Sequence, residues 1–140
     1  MTDYNKILER AGLRPTDARE AVLETLYRIG RPTSHGEVAE ALRGELDRVT
    51  IYRNLYLLEE AGLAHKVQGV DGKWRFCAHD PDVVGCPGDH PHFLCLSCGK
   101  MICLLGQALP HVDVPDGVKV QGKQLVVYGL CPECSRDRQK

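Results

Sequence analysis

Two cysteine doublets, Cys95-Leu-Ser-Cys98 and Cys131-Pro-Glu-Cys134, constrain this chain more than any other feature. Each doublet can place two thiolates on one ion, and the pair completes the closed tetrahedral shell of four sulfurs that structural zinc prefers. The 32 residues between Cys98 and Cys131 exceed the spacing of a minimal zinc ribbon. A folded segment must therefore return to the first doublet, so that the ion pins the ends of a small domain together. The competing readings are a dithiol redox pair, an iron–sulfur cluster and surface cysteines without a role. Two doublets in one short chain favour closed zinc at Cys95, Cys98, Cys131 and Cys134.

The 140 residues suffice for one ordinary domain or two very small ones, and 43% apolar with 26% charged is the balance of a globular protein in water. No apolar run approaches the ~20 residues of a membrane span, so no membrane partner is expected. The start, Met-Thr-Asp-Tyr-Asn-Lys, lacks the layout of a secretory signal. Seven cysteines is an odd number, which reads as thiols and metal ligands in a reducing cytoplasm rather than a disulfide framework. A net charge of −1 gives no global sign of nucleic-acid binding. Nine of the 12 cations in residues 1–80 are nevertheless Arg, a residue suited to forked contacts with phosphate and guanine.

The first 62 residues read as helices. Ile7, Leu8 and Ala11 suit a short opening helix. Ala18, Val22, Leu26 and Ile29 follow at helical spacing after Pro15-Thr16 and stop at Gly30 and Pro32. Ser34 with Glu37 forms a capping box for a third helix burying Val38, Ala41 and Leu42. Thr50 is the expected N-cap of a fourth, with Ile51, Leu55 and Leu58 on one face and Gly62 at its end. Leu63 to Val70 and Lys73 to Ala78 then flank Asp71-Gly72, predicting a hairpin with a type I′ turn and a half-buried second strand. Helices followed by such a hairpin make a winged helix-turn-helix. From Asp80 to Pro91, three prolines and two glycines indicate a hinge. Beyond it, Phe93 to Cys95, Met101 to Leu105 and Leu125 to Tyr128 suit a small sheet, with a helical turn ending near Pro110-His111. A lobe this small gains from a metal staple.

On the fourth helix Tyr52, Arg53 and Tyr56 lie away from the apolar stripe, a face whose size and chemistry suit a major groove. Arg53 can fork onto guanine or phosphate, and Tyr52 can pack on a thymine methyl. Arg48 just before the helix, Thr50 at its start, and Lys73 and Arg75 on the hairpin are expected beside them. The competing reading is a solvated helix face whose aromatics pack on a neighbouring helix.

Gly12-Leu-Arg-Pro-Thr16 with Arg19, Val49-Thr-Ile-Tyr-Arg-Asn-Leu55, Cys95-x-x-Cys98-Gly-Lys and Gly129-Leu-Cys131-x-x-Cys134 together resemble the ferric uptake regulator family. The match runs from about Leu8 to Cys134. The resemblance implies an α+β protein: a winged helix-turn-helix over residues 1–82, a hinge over 83–92, and a small α/β dimerisation domain with the four-cysteine zinc site over 93–140. It implies a homodimeric, metal-dependent transcriptional repressor whose partner is double-stranded operator DNA, with Tyr52 and Arg53 on the recognition helix.

Members of that family sense metal at a different site, between the two domains. The donors left over are His65, Cys77, His79, Cys86, His90, His92, Cys103 and His111. His65 and Cys77 sit on the two hairpin strands, where cross-strand pairing brings them within reach of one ion. His90 and His92 flank Pro91, a spacing that aims both imidazoles to one side of an extended segment. Iron-type members typically carry a carboxylate at the position of Cys77, whereas Gly62-Leu-Ala-His-Lys-Val67 and Phe76-Cys77 resemble the zinc uptake regulator branch. Thiolate plus imidazole favours zinc over iron(II) or manganese(II). The expected regulatory zinc site is therefore drawn from His65, Cys77, His90, His92 and Cys103. Cys103 can alternatively be read as a small buried hydrophobe, and His79 as a substitute for either hinge histidine. His35 and His111 read as surface residues. A third site seen in several members needs a histidine where this chain has Lys123, and is not expected. Without a His-Glu-x-x-His pattern there is no sign of a metal-dependent hydrolase, and no small-molecule substrate beyond the metal ion is expected. An iron, manganese or peroxide sensor and a zinc-knuckle interaction module are the alternatives.

Overall fold

The computed structural model describes residues 2–78 and 90–138. Local punctuation sets the helices of the N-terminal lobe. Asp3 accepts from the Lys6 amide to cap α1 (Tyr4–Arg10). Thr16 accepts from the Arg19 amide at 3.1 Å to cap α2 (Asp17–Ile29), which ends where Gly30 turns to φ +70°. After the two-residue strand β1 (Thr33–Ser34), Ser34 and Glu37 form the reciprocal capping box that opens α3 (His35–Ala41). The next helix, α4 (Arg48–Glu60), starts earlier than its sequence suggested. Asp47, not Thr50, is its N-cap, accepting from the Thr50 amide at 2.8 Å. Asp is the stronger cap, and Thr50 thereby falls inside the first turn. Leu8, Val22, Leu26, Val38, Ile51, Leu55 and Leu58 are all buried in one core that Phe76 closes from the sheet side.

The wing is a three-stranded antiparallel sheet of β2 (Ala64–Gln68) and β3 (Trp74–Ala78) with β1, in the order β1-β3-β2. Strand β1 is too short to show an alternation, so periodicity could not announce it. The turn also differs from expectation. Only Gly72 of the Asp71-Gly72 pair takes positive φ, at +82°. The Gly69 amide donates to the Lys73 carbonyl and the Gly72 amide to the Gly69 carbonyl, each at 3.0 Å. This is a three-residue loop closed by a left-handed glycine rather than a two-residue type I′ turn. Nor is β3 half-buried, because Arg75, Phe76 and Cys77 are all buried. It is the central strand of its sheet, with the helical core on one face and the C-terminal lobe on the other.

That lobe holds β4 (His92–Cys95), β5 (Met101–Cys103) and β6 (Val126–Gly129), in the order β5-β4-β6. Strand β4 runs antiparallel to β5 and parallel to β6, and α5 (Pro132–Arg138) follows. The helical turn expected before His111 is not formed: residues 104–125 contain neither helix nor strand. Pro110, Pro115 and three glycines interrupt that stretch too often for a helix to propagate. The lobes meet where Val67 of the wing packs with Leu94 and Met101, flanked by Val126. Beside it Gln68 and Gln124 exchange hydrogen bonds, the Gln124 amide donating to the Gln68 carbonyl at 2.8 Å. His79, Cys86 and most of the expected hinge lie outside the described residues. Strand β4 opens at His92, the last position of that hinge. No helix among the described residues is long and apolar enough to cross a membrane.

Candidate metal centres and nucleic-acid interface

The parallel pairing of β4 with β6 sets Cys95 opposite Gly129, and the Leu96 amide extends it by donating to the Gly129 carbonyl at 2.8 Å. The second doublet, two residues beyond Gly129, is thereby delivered to the first. The four cysteine sulfurs all lie within 4.8 Å of one another, and those of Cys98 and Cys131 are 4.0 Å apart. A tetrahedral zinc with bonds of ~2.3 Å holds its sulfurs about 3.8 Å apart, so the donor set fits that ion. The amides of Cys98 and Cys131 point at the Cys95 sulfur, at 3.5 and 3.4 Å, and pull its thiol down to about 6. Cys134 is pushed up to about 12, chiefly by its hydrogen bond with Cys131. Four thiolates this close need a cation among them, which is what a closed zinc site supplies.

A second donor group lies at the junction of the lobes. Cross-strand pairing sets His92 opposite Cys103, and Pro91 carries His90 to the same place. The ligand atoms of His90, His92 and Cys103 lie within 4.8 Å of one another. His90 and His92 are 4% and 1% exposed, with ring centroids 4.6 Å apart. The His90 Nδ1 is 3.0 Å from the Pro91 carbonyl, which in the Nδ1–H tautomer leaves Nε2 as the ligand atom. Both ring nitrogens of His92 are buried without a hydrogen-bond partner among the described residues. Burying two such atoms is costly unless something binds them. Imidazole and thiolate donors with an orphaned histidine fit a soft four-coordinate cation.

The wing supplies the neighbouring donors. The His65 ring lies 6.4 Å from that of His90 and 6.3 Å from that of His92. Cys77, 5% exposed, is the register partner of His65 across β2 and β3. Neither belongs to the tight three-residue group. His111, by contrast, is solvent-exposed and pairs with Asp113, and Lys123 donates to the Pro110 carbonyl.

On the opposite side of the N-terminal lobe, α4 and the wing enclose a groove of about 920 Å³ lined by Arg48, Tyr52, Arg53, Tyr56, Lys73 and Trp74, among others. Arg48 and Arg53 are exposed, and Tyr52 is 45% exposed. Tyr56 is half-buried: it stacks on Tyr52 at 5.3 Å and meets Phe76 edge-on at 5.4 Å. Its role is therefore at least partly to support Tyr52. Thr50 is partly buried in the first turn, where its carbonyl accepts from Asn54. Arg75 does not belong to this face. It points the other way, into the lobe interface, with 2% of its side chain exposed.

Sequence reasoning missed two supports of the groove. His35 places Nε2 3.1 Å from the Arg48 carbonyl and its ring 4.8 Å from Tyr52. Lys66 lies over both Tyr56 and Trp74, at 5.0 and 4.9 Å. Neither carries a motif; the usable signal was that Lys66 alternates with His65 and so faces the opposite side of β2.

A model of the ferric uptake regulator family matches residues 10–113. The chain is 33% identical over 137 residues to the peroxide operon regulator of Bacillus subtilis, covering 92% of this chain and 89% of that protein. It is 31% identical over 147 residues to the ferric uptake regulation protein of Campylobacter jejuni, covering 98% and 89%. Among solved structures it resembles the ferric uptake regulator of Vibrio cholerae, at 25% identity and a TM-score of 0.66, covering 92% of this chain and 100% of that one. With its winged-helix lobe, its second lobe of dimerisation-domain type and its four-cysteine cluster, the chain belongs to the ferric uptake regulator family of metal-responsive transcriptional regulators.

Proposed function

We propose that this protein is a zinc-responsive repressor that binds operator DNA as a homodimer. The observation that carries the zinc assignment is the convergence of two buried histidines, His90 and His92, with the half-buried Cys103, both His92 nitrogens being orphaned. Two imidazoles and a thiolate are a poor home for iron(II) or manganese(II), which want more oxygen, and a good one for zinc. His65, with Cys77 beside it, is the donor that would complete the shell from the wing. A bound ion supplies a bond between the wing and the C-terminal lobe. Four-cysteine zinc at Cys95, Cys98, Cys131 and Cys134 is the separate, structural site, and contributes to folding itself.

The rest follows from what the residues hold. Arg48, Tyr52, Arg53 and Lys73 form one exposed polar face around the groove, with Tyr56 stacked against Tyr52 as its support. A dimer reads two half-sites only when its recognition helices are correctly spaced. Residues that fix the wing against the C-terminal lobe therefore raise the fraction of dimers competent to bind. Among the described residues, nine of the thirteen exposed large hydrophobics fall between Ile102 and Tyr128. That uncovered apolar surface supports self-association through the C-terminal lobe.

Protein stripped of metal at the second site but retaining four-cysteine zinc tests this reading. Buffered zinc, iron(II) and manganese(II) are each titrated anaerobically against a duplex that the wild-type protein selects from a random pool. Zinc should restore binding at the lowest free concentration. Restoration by iron or manganese alone would favour an iron, manganese or peroxide sensor, and the B. subtilis relative is named for that last role. No duplex binding under any metal would leave a zinc-knuckle interaction module.

A further inference from the structure

Arg75 is the bulkiest buried side chain among the described residues, and it spans the two lobes. Its Nη1 and Nη2 donate to the two carboxylate oxygens of Asp71, at 3.1 and 2.9 Å. Nη2 also donates to the Gly99 carbonyl at 3.0 Å. Gly99 lies next to Cys98, and its own amide donates to the Cys95 carbonyl at 2.9 Å. The guanidinium therefore grips the turn made by the first cysteine doublet.

The wing loop is closed tightly around this group. A Cβ on Gly69 would sit 2.6 Å from Arg75 Nη1, 2.7 Å from Asp71 Oδ1 and 2.9 Å from a Leu94 methyl. A side chain at this position would force the Arg75 fork, Asp71 or Leu94 to move aside. The Arg75 Nε is meanwhile buried without a hydrogen-bond partner among the described residues. Stability alone gives little reason for such a group, since an apolar side chain of similar volume often packs as well as a buried ion pair. What the planar fork supplies is direction: it holds Asp71 on one side and the Gly99 carbonyl on the other in one geometry.

We propose that Arg75 is a positioning residue for operator recognition, clasping the wing loop to the four-cysteine knuckle so that the knuckle sets the angle of the wing. Lys73 and Trp74, its neighbours in sequence, line the groove beside Tyr52 and Arg53. The clasp thus fixes their place from behind without itself touching DNA. The inference rests on the DNA-binding reading and makes the structural zinc site a part of the recognition apparatus.

The test uses the full chain with both metal sites loaded. Arg75→Met keeps length and removes the fork, Arg75→Lys keeps charge alone, and Asp71→Asn weakens the clasp from its more exposed end should Arg75→Met fold poorly. Hydrogen exchange is read without DNA over residues 66–76 and 96–101, and duplex affinity is read across a salt series. The expected result is retained structural zinc, faster exchange in both segments together, and affinity weaker by roughly 2- to 30-fold, the range for substitutions that act on a binding site without touching its ligand. The slope of log affinity against log salt should stay at its wild-type value, and Arg75→Lys should not rescue. Unchanged exchange, or a slope reduced by about 1 as for a lost phosphate contact, would overturn the inference. Failure of the wild-type chain to bind any duplex would instead overturn the functional reading beneath it.

Discussion

Single side chains decide where this chain turns and where it holds charge, and Glu37 shows both. Burial pushes its carboxyl up, but the Arg31 guanidinium and the Ser34 amide outweigh that and hold it below the usual carboxylate range. The capping oxygen and the ion pair with Arg31 at 2.6 Å are two atoms of one group. A carboxylate with a lowered folded value contributes stability that is complete above its unfolded value, about 4.3, and is lost as pH falls through the folded one. Glu37→Gln should therefore lower the urea midpoint at pH 7 and flatten its decline below about pH 4.3. An equally steep acid decline in the variant would show that the pairing contributes nothing. This capping box was legible from Ser34-x-x-Glu37 alone. Asp47 was legible too, three residues ahead of Thr50, but the fourth helix's apolar stripe starts at Ile51 and drew the boundary inward. The inward turn of Arg75 was not legible, because its partner carbonyl at Gly99 is 24 residues away and no local pattern reports it.

At the scale of elements, periodicity found what was long. Helices α2 and α4, of 13 residues each, have full apolar faces, and the exposed face of α4 was visible as what remained. The two-residue β1 escaped, whereas β3 was located but taken as half-buried, because Trp74 and Phe76 alternating with Arg75 and Cys77 gives no sign that both faces are covered. The helical turn expected before His111 failed because apolar residues at helical spacing cannot outweigh repeated glycine and proline. Arg53 is exposed at the groove and Tyr56 is a half-buried prop, so their alanine variants should differ in kind. Arg53→Ala should weaken duplex binding and lower the salt slope by about 1 if it holds a phosphate, or relax the choice of one base, at about 1–3 kcal/mol, if it forks onto guanine. Tyr56→Ala should weaken binding with the salt slope unchanged. Identical signatures would mean that the groove is not read as described.

For the whole molecule the issue is how two lobes act as one. The sequence placed these side chains among the candidate donors but could not tell which of them converge, since His90, His92 and Cys103 meet through the pairing of β4 with β5 and the turn at Pro91. His65 and Cys77 were paired correctly with each other by hairpin logic, yet their distance from the other three depends on how the lobes dock, which no spacing encodes. The docked arrangement already has supports of its own in the Val67–Leu94–Met101 contact, the Gln68–Gln124 exchange and the Arg75 clasp. On the proposed function, metal at the histidine–cysteine group would have to shift an equilibrium rather than build an interface. Coupling of that kind is commonly ~1–3 kcal/mol, or ~5–150-fold, and acts equally in both directions.

The most direct measurement is duplex affinity as a function of buffered free zinc, for wild type and for Cys103→Ser, with dimer state and four-cysteine zinc content checked in both. Wild type should tighten by ~5–150-fold across the titration, while Cys103→Ser, intact in dimer and structural zinc, stays at the metal-free affinity. A Cys103→Ser protein that tightens as far as wild type, at the same free zinc, would contradict the account.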